Sequence, residues 1–548
     1  VKRLVVIAGL VAALFVISCN GEKPAPPPAG TATSTAVADD NRPKDGGTLL
    51  RRLDTDIGSL NPILSQSTYD RRVAHYLFTP MVYLDENLRP APGLAESWKI
   101  SDDGRTYTFE LNEKATFADG KPVRPADVIF TLRKIVDPTS EAMQIASGFE
   151  QLDLSRTRAT GEHTIEIGFK EALASQMIRF ADLIVLPEHV YGAGAFRDDY
   201  NNTAVGSGPY KLVRRVPGKE VVIERRADYW SDRPHIQTVV FKVVGDHNTA
   251  WQAIKRGELD ETIIPSDIWL RESKRSENAN IEFRRFYTLN YNYIAWNGKD
   301  PLTGDKRVRQ ALARCVNLQS LITDLYHGTA RAVTGHFTPE EWAYNPRVPV
   351  IQHNPEEARR MLELAGWRDT NGDGILDKNG KPFKLELMIT AGSAPGVAFA
   401  QLFQADCKRI GADVEILTLE GTTAIQRILS GNYQAAYLAW ELDPDPDPFA
   451  IFHSSQFPPR GQNFVYYSNP EADRLIEQGR RELDQDKRVA IYHRLHEVMA
   501  EDQPYTWTIQ VSLKWALNKR LKGVRESRGN GLLLWYPGEL GWWLADQK

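Results

Sequence analysis

Cysteine is scarce in this chain: three among 548 residues, at positions 19, 315 and 407. Cys19 stands apart near the N-terminus. The spacing of Cys315 and Cys407 gives no argument for contact, so both are expected as buried free thiols, although a disulfide is permitted outside the cytoplasm. Charge of one sign is missing too. Lys and Arg number 67 against 71 Asp and Glu, a formal charge of −4, and the basic residues form no stripe, which argues against a nucleic-acid partner. After residue 18 there is no apolar run of membrane-spanning length, so the chain is expected not to cross a bilayer. No Ser-His or Cys-His elbow of the kind that activates a nucleophile is present, and no internal repeat is visible.

What is present is ordinary for a globular protein, with 42% hydrophobic and 25% charged residues, and the length leaves room for two to four domains at about 100–200 residues each. The N-terminus is the exception. Lys2 and Arg3 precede an uncharged apolar stretch, residues 4–18, ordered like a signal peptide. It ends in "VISC", residues 16–19, which resembles a bacterial lipobox and implies an acylated Cys19. The polar Pro-, Ala- and Thr-rich segment that follows cannot bury enough surface to offset its ordering entropy. Residues 1–18 are therefore expected as a lipoprotein signal and 19–46 as a tether, placing the body outside the cytoplasm on a membrane it touches only through lipid.

From Gly47 onward strands and helices alternate. "TYTFEL" (106–111) has the period of two of a half-buried strand, and "RPADVIFTLRKIVDP" opens on Pro125, places Val128, Leu132 and Ile135 on one face and stops before Pro138. "NTAWQAIKRGELD" and "DKRVRQALARCVNLQSLITDLYHG" read as helices closed by Gly257 and Gly328. "NPEEARRMLELAGW" is a third, with Asn354 before Pro355. This mixture of hairpins and βα units predicts an α/β protein with mixed sheets.

Taken in order, several segments resemble the large extracytoplasmic solute-binding proteins of peptide and nickel ABC importers (family 5). They are "GLAESWKISDDGRTYTFELNEKATFADGKPVRPADVIFTL" (93–132), "VGSGPYKLV" (205–213), "RRADYW" (225–230), "AIKRGELD" (253–260), "VRQALARCVN" (308–317), "EEARRMLELAGW" (356–367) and "YSNPEADRLI" (467–476). The resemblance implies a bilobal, class II periplasmic-binding-protein-like fold with a two-strand hinge and an extra inserted domain. The boundaries it implies are lobe I at 47–77, 205–300 and 512–548, the inserted domain II at 78–204, and lobe II at 301–511. It also implies a monomer that passes a ligand to ABC permease subunits.

One stretch concentrates chemistry. "AYLAWELDPDPDPFAIF" (436–452) is an apolar strand running into Glu441, Asp443, Asp445 and Asp447 interleaved with three prolines, which forbid a helix. A single turn of this kind supplies one face of a reaction centre, not the two separated acids that paired-carboxylate catalysis needs, so a metal-dependent hydrolase is the weaker alternative. The resemblance instead places Trp440 and Asp443 where relatives shape a pocket and hold a peptide's α-ammonium. It leaves the backbone of Glu441 and Leu442 to pair with the ligand as an added strand. Asp445 and Asp447 are expected to face solvent. Tyr291 and Tyr293 fall on one face of a strand that borders the ligand in relatives, and aromatic walls keep an oligosaccharide or metal-chelate binder open as the alternative. Arginines that hold ligand carboxylates in oligopeptide binders are replaced by Ile428 and Tyr437, with Arg427 adjacent as a substitute.

"DTNGDGILDKNG" (369–380) sets Asp369, Asn371, Asp373 and Asp377 at calcium-loop spacing, with Gly374 sixth but Gly380 where the bidentate acid belongs. The expectation is a plain hairpin and no cofactor, with a structural calcium as the alternative.

Overall fold

A computed structural model describes residues 42–65, 67–196, 199–531 and 533–546. The signal segment, Cys19 and most of the tether lie outside the described residues. The body is the unit Pro43–Lys548. It already includes the last tether residues: Asp45 accepts a 2.8 Å hydrogen bond from His235 Nδ1, and Lys44 Nζ donates to the Ala545 carbonyl at 3.0 Å. The expected tether therefore ends before residue 43, because these charges are held on the body. Among the described residues no helix is long and apolar enough to cross a membrane.

Three sheets organise the chain. The first has seven strands in the order Ile281–Phe286, Leu513–Asn518, Glu261–Ile263, Thr48–Leu53, Thr238–Val243, Glu220–Arg225 and Tyr210–Val216. Thr48–Leu53 runs parallel to its neighbours on both sides, and the remaining pairs are antiparallel. A second, five-stranded sheet is ordered Asp413–Leu419, Lys384–Thr390, Ala435–Glu441, Asn290–Trp296 and Tyr505–Trp507. The third is antiparallel, with Ala95–Ile100, Thr106–Leu111, Thr164–Phe169 and Leu152–Ala159. The α/β class with mixed sheets is as the sequence predicts.

The lobe boundary expected at 300 falls late. Asn290–Trp296 pairs with Ala435–Glu441 over seven positions, so it belongs to the second sheet, whereas Ile281–Phe286 belongs to the first. The chain crosses between these sheets at 287–289 and returns at 512. Both faces of Asn290–Trp296 are covered, with Ile294 and Trp296 in one apolar cluster and Tyr291, Tyr293 and Ala295 in another. Hence its second half, residues 293–296, reads as a continuous apolar run.

The expected long helix ending at Gly328 is broken. Lys306–Ala313 stops before Cys315, and a new turn starts at Leu318–Ser320, where the Asn317 side chain caps Ser320 N. An asparagine side chain competes for backbone donors, and here that competition restarts the helix. The two thiols that the sequence leaves apart meet in this core. Both are free and buried, and burial followed by a hydrogen bond to Cys315 pushes the Cys407 thiol well above its usual range. Gly206 and Gly208 show why "GSGPY" carries glycine: a Cβ would lie 2.0 Å from the Leu77 carbonyl oxygen and 2.5 Å from its carbon, an impossible overlap with the helix Thr68–Leu77.

Candidate ligand-binding site

The strand Ala435–Glu441 has two neighbours, but it keeps them over different lengths. Lys384–Thr390 pairs with it only at Ala435 and Ala436, while Asn290–Trp296 follows it to Glu441. Residues 437–441 therefore present one backbone edge without a strand partner among the described residues. Exposure alternates along that stretch, with Ala439 and Glu441 open and Leu438 and Trp440 half-buried. Beyond it Leu442 N donates to the Leu289 carbonyl at 2.8 Å, tying the start of the acidic loop to the crossing segment.

The loop sends its acids in two directions. Asp445 and Asp447 do not face solvent, contrary to the sequence expectation. Asp445 takes both Arg488 amino groups at 2.9 Å, with the two side chains 5% and 6% exposed, and Arg480 Nε donates to Asp447 at 2.8 Å. Asp445 and Asp447 turn inward because the helices Pro470–Arg481 and Gln485–Asp502 bring two arginines beneath the loop, and a buried guanidinium is costly without a carboxylate. Desolvation raises the Asp447 carboxyl, opposed by Arg480. The signal was in the sequence: Arg488 precedes Tyr492, Leu495 and Met499 at helical spacing, which puts a charge on an apolar face where it needs a partner.

Asp443 points the other way. Its side chain is 61% exposed, and its Oδ2 lies 2.9 Å from Nη2 of Arg179, in the short helix Gln176–Arg179 that follows the third-sheet strand Thr164–Phe169. Asp182 stands beside them and is exposed. Desolvation pushes its carboxyl up, Arg179 draws it down and Asp443 pushes it up again. Asp443, Arg179 and Asp182 thus form an exposed charged cluster at the end of the strand Ala435–Glu441. The Trp440 indole Nε1 donates to Tyr505 Oη at 3.3 Å, and its ring is parallel to Tyr293 at 6.4 Å.

Tyr291 and Tyr293 are buried rather than exposed on the strand's surface. They are 0% and 1% exposed, with Tyr291 Oη 2.9 Å from His336 Nδ1 and Tyr293 stacked on Tyr505 at 4.0 Å. Alternation places them on one face, as expected, but that face is packed from behind. Of the two, Tyr293 also stacks with Trp440, at 6.4 Å. Arg427 is also engaged, donating to Glu386 at 2.8 Å and to the Asn432 carbonyl at 2.7 Å, while Ile428 and Tyr437 are buried. Two cavities of about 430 and 390 Å³ open within the second-sheet lobe, the first beside Trp507 and Val333 and the second beside Arg427 and Asp300; neither is lined by Trp440 or Asp443.

In the calcium-like loop the carboxylates are occupied by their own backbone. Asp369 accepts from Gly372 and Gly374, Asp373 from Ile375, and Asp377 from Thr370. Asn379 and Gly380, both at positive φ, turn a two-residue hairpin between Asp377–Lys378 and Lys381–Pro382, as such a turn requires. Among the described residues no cluster of three or more His, Cys, Asp or Glu is arranged to hold a metal. We expect chelation with EDTA to leave the melting temperature and ligand affinity unchanged; a loss restored by added calcium would show that this loop holds the ion.

Comparison with known proteins identifies relatives across the whole body. The model of "Bacterial extracellular solute-binding proteins, family 5 Middle" matches residues 89–462. The oligopeptide-binding protein AppA of Bacillus subtilis (strain 168) is 30% identical, over 98% of this chain and 97% of that protein. Its structure in complex with a nonapeptide superposes with a TM-score of 0.75 and 29% identity, covering 92% of this chain and 100% of that one. NikA from Brucella suis, solved with Fe(III)-EDTA, shares the fold at a TM-score of 0.78 with 23% identity, over 88% and 98% of the two chains.

Proposed function

Because the chain belongs to the bacterial extracellular solute-binding proteins of family 5, we propose that it is a lipid-anchored receptor that captures a short peptide between its lobes and delivers it to an ABC permease. The observation that carries this reading is the free backbone edge at 437–441 leading directly to Asp443. An extended peptide would add itself as a strand there, with its backbone paired along the open edge as far as Glu441 and its ammonium group received by Asp443; Leu442 N, expected to share in this pairing, is already bonded to the Leu289 carbonyl. Trp440, held by Tyr293 and Tyr505, would form the wall of the first side-chain pocket. Binding energy shifts the population from open to closed forms, and no bond is made or broken.

Native mass spectrometry of gently purified protein tests this directly. A series of co-purified peptides is expected; a sugar, a metal chelate or a released reaction product would overturn it. The anchor is tested separately. Cys19→Ser is expected to move the protein from the membrane to the soluble fraction, and continued membrane association through the N-terminus would refute acylation at Cys19.

A further inference from the structure

The acidic loop carries two aspartate–arginine pairs of opposite character. Asp445–Arg488 is bidentate and closed to water, whereas Asp443–Arg179 leaves the side chains 61% and 25% exposed and joins segments far apart in the chain. A buried, doubly bonded pair is fixed, and an open pair can exchange partners at little cost. Exchange also needs somewhere for the displaced guanidinium to go. Asp182 is exposed and its backbone N–H donates to the Arg179 carbonyl at 3.1 Å, which places its carboxylate one turn from the arm, where its charge acts on the guanidinium.

The arm is placed, not merely near. Its aliphatic stem lies across Gly148, where an added Cβ would stand 3.1 Å from Arg179 Cδ. The two sides are brought together beside it by a 2.8 Å hydrogen bond from Ala174 N to the Arg480 carbonyl. Leu483 adds an apolar contact, its Cδ1 lying 3.2 Å from where a Cβ on Gly104 would stand.

We infer that Arg179 is a built-in substitute for the ligand's ammonium group: it holds Asp443 in the ligand-free protein, yields it to a free peptide N-terminus and falls back on Asp182. This rests on the peptide reading above. Arg179 thereby sets how sharply free N-termini are preferred over blocked ones. With a blocked peptide Arg179 stays in place and Asp443 remains paired, so the blocked ligand loses the ammonium contact but strands no charge. Without Arg179, Asp443 has no partner until an ammonium arrives.

The test uses the full-length protein and a synthetic library of dipeptides to pentapeptides, each with a free and an acetylated N-terminus, with capture read by mass spectrometry. Arg179→Gln is expected to strengthen capture of free peptides and weaken that of acetylated ones, each by up to about fivefold, the range of an exposed ion pair. Arg179→Lys should restore the wild-type ratio. Gly148→Ala, which displaces the arm without removing its charge, should shift the ratio in the same direction as Arg179→Gln, and it decides the matter if Arg179→Gln does not fold. An unchanged free-to-acetylated ratio in a folded variant, or an equal loss of both sets, overturns the exchange role while leaving the peptide reading intact. Failure of the wild type to capture either set overturns the peptide reading and this inference with it.

Discussion

Asp443→Ala is expected to weaken binding of a cognate peptide by about 30- to 700-fold, or about 2–4 kcal/mol. Truncating one side of a desolvated, hydrogen-bonded charge pair costs about 2–5 kcal/mol. The pair with Arg179, given up when ligand binds, is partly exposed and offsets at most about 1 kcal/mol of that loss. An acid that stayed in water would instead cost less than about tenfold on removal. Isothermal titration with the co-purified peptide separates the two. N-acetylating that peptide should weaken wild type and leave the Asp443→Ala variant almost unaffected, because both changes remove the same contact. If Asp443→Ala and acetylation each cost less than tenfold, the ammonium clamp is wrong, and the aromatic reading of the site gains.

Asp445→Ala is expected to destabilise the second-sheet lobe by about 3–5 kcal/mol, because it strands a buried charge. Arg488 would keep its bond to the Gly479 carbonyl, at 2.8 Å, and its place over Trp342, with its carbon 4.9 Å from the ring centroid. Neither replaces a carboxylate. The effect should appear as a fall of several degrees in the melting transition of that lobe. Replacing both partners together, as in Asp445→Leu with Arg488→Met, should cost clearly less than Asp445→Ala alone, since no orphan charge is left. A melting temperature unchanged by Asp445→Ala would mean that this pair contributes nothing and that the loop is held by its prolines and Asp447.

Much of the architecture was legible along the chain. Period-two alternation located Thr106–Leu111, and proline and asparagine caps located Pro125–Val136 and Pro355–Leu364, because such signals act within one element. The spaced motifs from 93 to 476 were enough to point to the family. The acidic loop and its strand were likewise visible, since three prolines and four acids in one turn are a local fact.

The facing of each acid was not. If the extended strand simply continued, alternation would put Asp443, Asp445 and Asp447 on one face. The loop instead bends, with Asp447 N bonded to the Asp445 carbonyl at 2.9 Å, and arginines from two later helices draw the second and third acids inward. Arg179 meets Asp443 from a segment far away in sequence, and Tyr291 and Tyr293 are sealed from behind by Tyr505 and His336. Local sequence thus determined the class and many of the elements. Tertiary structure alone decided which acids of the loop are buried and which one stays exposed, because desolvation and ion pairing depend on what packs around a side chain and not on its neighbours in the chain.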